Sequence, residues 1–241
     1  DVCLPRRLEE QVAFLKKNPS ISIVCSREYS IDEKGEKIGA WKRELNNYGA
    51  FLAYIILGIN PIWTPSVMFI KDDILQLDGF DENFGPASDF ELWSRIALKR
   101  LNAQVVPKFH QLRRIHSQSQ SNLKADEQSQ ANKKALSNVI KYFLDEEDNN
   151  DLLSALLLDS FKINKINKAN PLTISKKINA LIESISLKQN LNKNEIHSLK
   201  SVIFQRIGYG FSIASLMNFL PFPLFKIIFY ITSPMYLITL K

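Results

Sequence analysis

Apolar positions in the first half of the chain alternate between helical and extended spacing. Helices are predicted where apolar residues recur every three or four positions, and strands where they form short continuous or alternating runs. The predicted helices are Leu8–Leu15, Gly49–Leu57, Lys71–Leu77 and Asp89–Leu101. The predicted strands are Ile21–Val24, Glu28–Ile31, Ser66–Ile70, Val105–Val106 and Phe109–Ile115. This alternation over residues 1–116 predicts an α/β layer fold.

The second half of the chain is patterned differently. Ser117–Gln130 is rich in Ser, Gln and Asn, which is typical of a linker. Four helical segments are predicted after it, at 131–146, 150–166, 171–188 and 192–207. Phe211–Leu240 is apolar, but three prolines interrupt it, so no run reaches the roughly 20 residues that a spanning helix needs. We expect an all-α C-terminal region whose last segment lies in a membrane interface.

Charge adds to this picture at the C-terminus. The net charge of +6 comes from basic residues that are mostly scattered among acids. They form no stripe interleaved with aromatic residues, which argues against a nucleic-acid binder. Ile196–Lys241 contains no Asp or Glu and is strongly apolar. Basic and apolar residues without acids favour an anionic membrane surface. The alternative is a buried terminal helix pair.

Composition limits the class of protein. The 241 residues are 45% apolar and 23% charged, which suits a globular core. Cys3 and Cys25 form neither a CxxC pair nor a zinc-type cluster, and two lone thiols fit a reducing cytoplasm. The chain begins at Asp1, inside a densely patterned segment, which favours a truncated start.

The first candidate for chemistry is Asp89. It follows the loop Gly85–Ser88 in the first turn of a predicted helix, where the helix dipole favours an ionised carboxylate. Such a carboxylate accepts a proton from an alcohol that is becoming a nucleophile. The alternative is that Ser88 or Asp89 simply caps the helix.

Two further groups are candidates for ligand binding. His116 ends the last predicted strand after Arg113 and Arg114. Imidazole is a good ligand for Mn²⁺, and two arginines suit a diphosphate, although a polar strand end on a basic surface is the alternative. Trp63 lies close to prolines before a strand and is a candidate for stacking on a sugar ring. Trp93 is expected in the core.

Six segments, taken in order, resemble those of family 2 (GT-A type) glycosyltransferases. In that family an acidic DxD motif is followed by spacers, Pro, any residue, Arg-Leu and a helix that ends in Asn-Pro. The six segments are Asp1–Leu15, Ile31–Gly35, Asn60–Phe69, Gly79–Phe84, Ser88–Trp93 and Arg114–Ser117. The resemblance implies that residues 1–121 are the acceptor-side part of a Rossmann-like GT-A domain that lacks its N-terminal half. Residues 122–207 would then be a helical region and residues 208–241 a membrane-facing segment.

The resemblance also implies individual roles. Asp89 would be the general base of an inverting transfer. His116 would lie near the metal and the diphosphate, on the same side as Arg113 and Arg114. Asp1 would fall one position after the DxD pair, beside the metal, which would be Mn²⁺ or Mg²⁺ and would offset the charge of the leaving diphosphate. The acceptor-binding residues would be Trp63, Thr64, Ser66 and Ser88.

This sequence departs from the family's pattern at two positions. Ser88 stands where the family usually has Glu, and Thr64 stands where it often has His. Ser88 weakens an acidic pocket and leaves the base in place, while Thr64 affects the type of acceptor. The donor-binding strands and the DxD motif fall outside these 241 residues, so the isolated chain is expected to be inactive.

The pattern and the resemblance together predict an enzyme. It would transfer a sugar from a nucleoside-diphosphate sugar to a polysaccharide or glycolipid, in the cytoplasm at the inner face of the cell membrane. A non-catalytic membrane-surface or scaffold protein with a decayed transferase segment is the alternative, and Ser88 is the residue that favours it.

Overall fold

Two long parallel strands lie side by side in the sheet. The computed structural model describes residues 1–43, 45, 47–119, 123–144, 152, 156 and 171–205. In this part of the chain the sheet has the order β1-β5-β2-β3, with β4 also paired to β2. Strand β5 runs parallel to β2, and the other pairs are antiparallel. The strands are β1 (Val2–Cys3), β2 (Ile21–Ile31), β3 (Lys37–Trp41), β4 (Met68–Phe69) and β5 (Asn102–Arg114).

Helices pack against this sheet and continue beyond it. Short 3₁₀ turns cover Thr64–Ser66 and Glu82–Ala87, and residues 193–205 are helical. The mixed sheet and the later helices confirm the predicted fold class, an α/β domain consistent with a partial Rossmann-like fold followed by helices. The helices are α1 (Arg7–Lys17), α2 (Tyr48–Ile56), α3 (Lys71–Leu75), α4 (Ser88–Leu98), α5 (Ala125–Phe143) and α6 (Pro171–Lys188).

The two central strands are longer than predicted. Each was predicted as two short strands, but the parallel pairing of β2 with β5 continues across the polar positions between them. The register shifts where Ser26 pairs with Val106 and Arg27 pairs with Phe109. Pro107 and Lys108 therefore bulge out of the ladder, which accommodates a proline that has no N–H to donate.

Two other predicted bounds were wrong, and one strand was not predicted. The predicted strand Ser66–Ile70 is shortened to β4, because a 3₁₀ turn occupies its start. The predicted linker Ser117–Gln130 is shorter, because α5 already begins at Ala125. The residues after Gly35, for which no strand was predicted, contain β3, which forms a hairpin with β2.

One hydrophobic cluster extends from the sheet to the C-terminal helices. It includes Ile23 of β2, Trp93 of α4, Leu136 of α5 and Leu181 of α6, all fully buried. The helical region therefore packs on the α/β part, and the division at residue 121 stays a prediction. Among the described residues, no helix is both long and apolar enough to cross a membrane. The predicted membrane-facing segment 208–241 and most of the predicted helix 150–166 lie outside the described residues.

Candidate functional site

Asp89 is the second residue of α4. The N-cap position is Ala87, which has no side-chain hydrogen bond, so neither Ser88 nor Asp89 is the N-cap residue. Asp89 Oδ1 accepts a hydrogen bond of 2.7 Å from the backbone N–H of Phe90. Gly85 turns the preceding loop at a φ of 45°, a left-handed conformation that glycine adopts without strain.

Two side chains from another loop hold the second oxygen of Asp89. Thr64 Oγ1 donates to Asp89 Oδ2 at 2.6 Å, and Asn60 Nδ2 donates to the same oxygen at 3.0 Å. A carboxylate has about four acceptor positions, and these described contacts use three. These three hydrogen bonds fix the direction of the carboxylate. The remaining acceptor position can take a hydrogen bond from one more donor.

The loop that carries Thr64 is anchored from two sides. Helix α1 reaches it through Gln11, whose Nε2 donates to the carbonyl of Ser66 at 2.7 Å, and through Arg7, which donates to the carbonyl of Val67 at 3.1 Å. Strand β2 holds it through Ser26, whose N–H donates to Ser66 Oγ at 3.1 Å. Ser66 is fully buried, so its hydroxyl anchors the loop and is not presented to an acceptor. Ser88 is half-buried at the start of α4.

Two indole rings lie together where the loop that carries Thr64 begins. Trp63 directly precedes Thr64, and its ring centroid is 6.1 Å from that of Trp41 at an angle of 44°. Both indoles are partly exposed. The Arg113 guanidinium lies 4.3 Å from the Trp63 ring, and that of Arg43 lies 5.5 Å from the Trp41 ring. Half-exposed indoles flanked by planar cations suit the CH faces of a sugar ring. Trp93, in contrast, is fully buried in the core as predicted.

Arg113, which lies on the Trp63 ring, also contacts a buried carboxylate. Glu28 in β2 is fully buried, and its Oε1 lies 3.0 Å from Nε of Arg113. Neither oxygen has an aligned hydrogen bond. Loss of hydration raises the pKa of Glu28 to about 7, while Arg113 and then Trp63 lower it in part. Sequence reasoning missed Glu28, Asn60 and Trp41, because only the folded sheet and loops bring them to this place.

The structure separates the two arginines that were assigned to the diphosphate. Arg113 faces Trp63, whereas Arg114 donates to the backbone carbonyls of Asp32 and Glu33, both at 2.7 Å. Neighbouring residues of a strand point to opposite faces, which explains the split. Arg114 therefore stabilises the β2–β3 turn.

The metal-site candidates lie near the end of β5. Asp1 Oδ1 accepts a 2.9 Å hydrogen bond from the Arg114 backbone N–H, and His116 follows the strand two residues later, half-buried. Among the described residues, no group of three or more His, Cys, Asp or Glu side chains could hold a metal ion. The residues described here do not form a complete metal site.

Comparison with known proteins gives a partial match to a glycosyltransferase. No family model matches the chain. Over 112 residues the chain is 27% identical to an uncharacterized glycosyltransferase of Methanocaldococcus jannaschii. The matched region covers 45% of this chain and 37% of that relative.

Proposed function

We propose that the chain is the acceptor side of an inverting family 2 (GT-A type) glycosyltransferase with Asp89 as its general base. The observation that carries this proposal is the carboxylate of Asp89, which Asn60 and Thr64 orient, with Trp63 directly before Thr64 in the same loop. A directed carboxylate can accept the proton of a sugar hydroxyl, and an indole ring can pack on the sugar.

The reaction is a single displacement. Asp89 takes the proton of the acceptor hydroxyl, and the oxygen forms a bond to the anomeric carbon of the donor sugar. The bond from that carbon to the nucleoside diphosphate breaks, and the diphosphate leaves with the electron pair. Attack from the face opposite the leaving group inverts the configuration. The proton then remains on Asp89 until it is released to solvent.

The donor is a nucleoside-diphosphate sugar, and Mn²⁺ or Mg²⁺ supplies charge neutralisation of its diphosphate when bound. The acceptor is a glycan or a lipid-linked sugar. We place the enzyme at the inner face of the membrane, because Ile196–Lys241 combines apolar and basic residues without acids. Removal of residues 208–241 should move the protein into the soluble fraction, and unchanged membrane recovery would contradict this location.

The test of the reaction is transfer from a panel of nucleotide sugars to membrane-extracted glycans and glycolipids by the gene product purified from its own cells. Asp89→Asn should lower transfer by about 10²- to 10⁴-fold, the usual contribution of a general base. Asp72→Asn is the matched control, because Asp72 is exposed on α3. Full activity of a folded Asp89→Asn protein would remove Asp89 from the mechanism and favour a non-catalytic protein.

A further inference from the structure

We propose that Glu28 and Arg113 are positioning residues of the acceptor site, which hold the Trp63 indole and thereby place Thr64 against Asp89. The effect of this positioning on catalysis rests on the function proposed above. Its structural consequence, a link between Glu28 and Trp63, does not depend on that function and is measured separately.

The sheet register brings the first two residues together. Glu28 of β2 lies opposite Gln111 of β5, and Arg113 is two residues further along β5. Residues two apart on a strand share a face, so Arg113 and Gln111 project on one side of the sheet. There Arg113 Nε lies 3.0 Å from the Glu28 carboxylate.

Burial makes this carboxylate costly to the fold. An ionised group without water or aligned hydrogen bonds is destabilising, and an apolar side chain would fill the same volume without that cost. Glu28 is fully buried and lacks aligned hydrogen bonds, so its contact with Arg113 is its main compensation. A group of this kind marks a position where orientation matters more than stability.

Arg113 connects Glu28 to the loop Asn60–Val67, called the acceptor loop below. Its guanidinium has the Glu28 carboxylate on one side and the Trp63 ring at 4.3 Å on another. Trp63 is adjacent to Thr64, whose hydroxyl lies 2.6 Å from Asp89. A displacement of about 1 Å in such a chain is enough to change a rate by about 100-fold.

Among the described residues, three charged or titratable groups act on Glu28 or on its neighbour in the strand. Arg113 approaches from β5, Cys25 lies on the same strand, and Arg43, after β3, acts on Cys25. Burial raises the pKa of Cys25 to about 12, so this thiol does not titrate near neutrality. Because the pKa of Glu28 is about 7, its charge changes in the neutral range and the Arg113 contact changes with it.

The structural test uses the indole signals in a ¹⁵N–¹H spectrum of the full chain. The chain has three tryptophans, so Trp63→Phe identifies the Trp63 signal by its loss. Between about pH 5.5 and 8.5 the Trp63 signal should titrate in the unchanged protein and stay constant in Glu28→Gln. Glu36→Gln, an exposed carboxylate on the neighbouring hairpin, is the control that should leave the titration intact. A Trp63 signal that does not titrate, or that titrates equally in Glu28→Gln, would overturn the proposal.

Arg113→Lys serves as a second variant should Glu28→Gln not fold. It keeps a positive charge beside Glu28 but removes the planar group that stacks on Trp63. We expect the pH response of the Trp63 signal to decrease in this variant, and the direct interaction of Trp63 with Glu28 to account for what remains. An unchanged response would show that Arg113 does not connect the two residues.

The activity test separates this proposal from the proposed function. In Glu28→Gln and Arg113→Lys, kcat/KM for the acceptor should fall about 10- to 100-fold, with the KM for the nucleotide sugar unchanged. Glu28→Asp should recover part of the loss. If Trp63 titrates with Glu28 but Asp89→Asn has full activity, the positioning role stands and the proposed function fails. If Asp89→Asn is inactive but Glu28→Gln has normal acceptor kinetics, the function stands and the positioning role fails.

Discussion

Thr64 has a specific task at the residue scale, because its hydroxyl donates the shorter of the two side-chain hydrogen bonds to Asp89. Thr64→Val keeps the shape of the side chain and removes this bond. Hydrogen bonds to charged groups contribute about 1.5–3 kcal/mol, so we expect kcat to fall about 10-fold or more. Transfer kinetics check this, with Thr64→Ser as the variant that should retain activity. Normal kcat in Thr64→Val would mean that Asn60 alone orients the carboxylate.

Glu28 should make the protein less stable as the pH rises. Its pKa is about 7 in the folded chain against 4.5 for the free side chain, so the folded state binds more protons between these values. The free energy of unfolding should therefore decrease from about pH 4.5 to about pH 7. Urea midpoints measured across this range should show the decrease, and Glu28→Gln should lack it. An equal decrease in Glu28→Gln would assign the effect to other groups.

Glu10 should have the opposite effect in a more acidic range. A hydrogen bond with His110, another with Lys108 and the charges of Lys108 and Arg6 hold the pKa of Glu10 below its usual 4.5. A lowered carboxyl pKa stabilises the fold above pH 4.5, and this contribution is lost as the pH falls through the folded-state pKa. Glu10→Gln should lower the free energy of unfolding at neutral pH and make it less dependent on pH below pH 4.5. A matching acid midpoint in both proteins would contradict this.

At the scale of elements, Arg95 connects α4 to the turn after α3. It forms a two-point ion pair with Glu91, at 2.6 Å for both contacts, and donates to the carbonyls of Leu77 and Gly79. Arg95→Ala would leave Glu91 largely buried without its partner. We expect a loss of about 2 kcal/mol in the free energy of unfolding, measured by urea denaturation. Arg95→Lys should recover part of the loss, and a neutral Arg95→Ala would show that the turn is held by its backbone bonds alone.

The elements also show what local sequence can predict. The motifs led to Asp89, Thr64 and Trp63, because each lies in a short segment whose residue order is distinctive. Glu28 and Trp41 were not found, because they become neighbours of these residues through the sheet register and the β2–β3 hairpin. Periodicity divided both central strands at polar positions, since it does not register pairing that continues past a bulge.

At the scale of the whole molecule, the C-terminal helices approach α2 closely. A Cβ added to Gly49 would lie 2.0 Å from the carbonyl oxygen of Glu195. Gly49→Ala should therefore separate the two parts and cost about 1–3 kcal/mol, despite the better helix propensity of Ala. The measurement is the thermal midpoint of the full chain. Gly39→Ala is the control, because its added Cβ would meet only an ordinary 3.8 Å contact with Ser30. Equal midpoints in the two variants would exclude a tight contact at Gly49.

Helix α1 holds the acceptor loop by hydrogen bonds to its backbone. Gln11 and Arg7 bind the carbonyl oxygens of Ser66 and Val67, and every amino acid supplies a carbonyl. The exposed Pro65 can therefore be replaced while both hydrogen bonds from helix α1 persist. Under the proposed function, a substitution at this position would change the glycan that is extended and leave the scaffold around Asp89 in place.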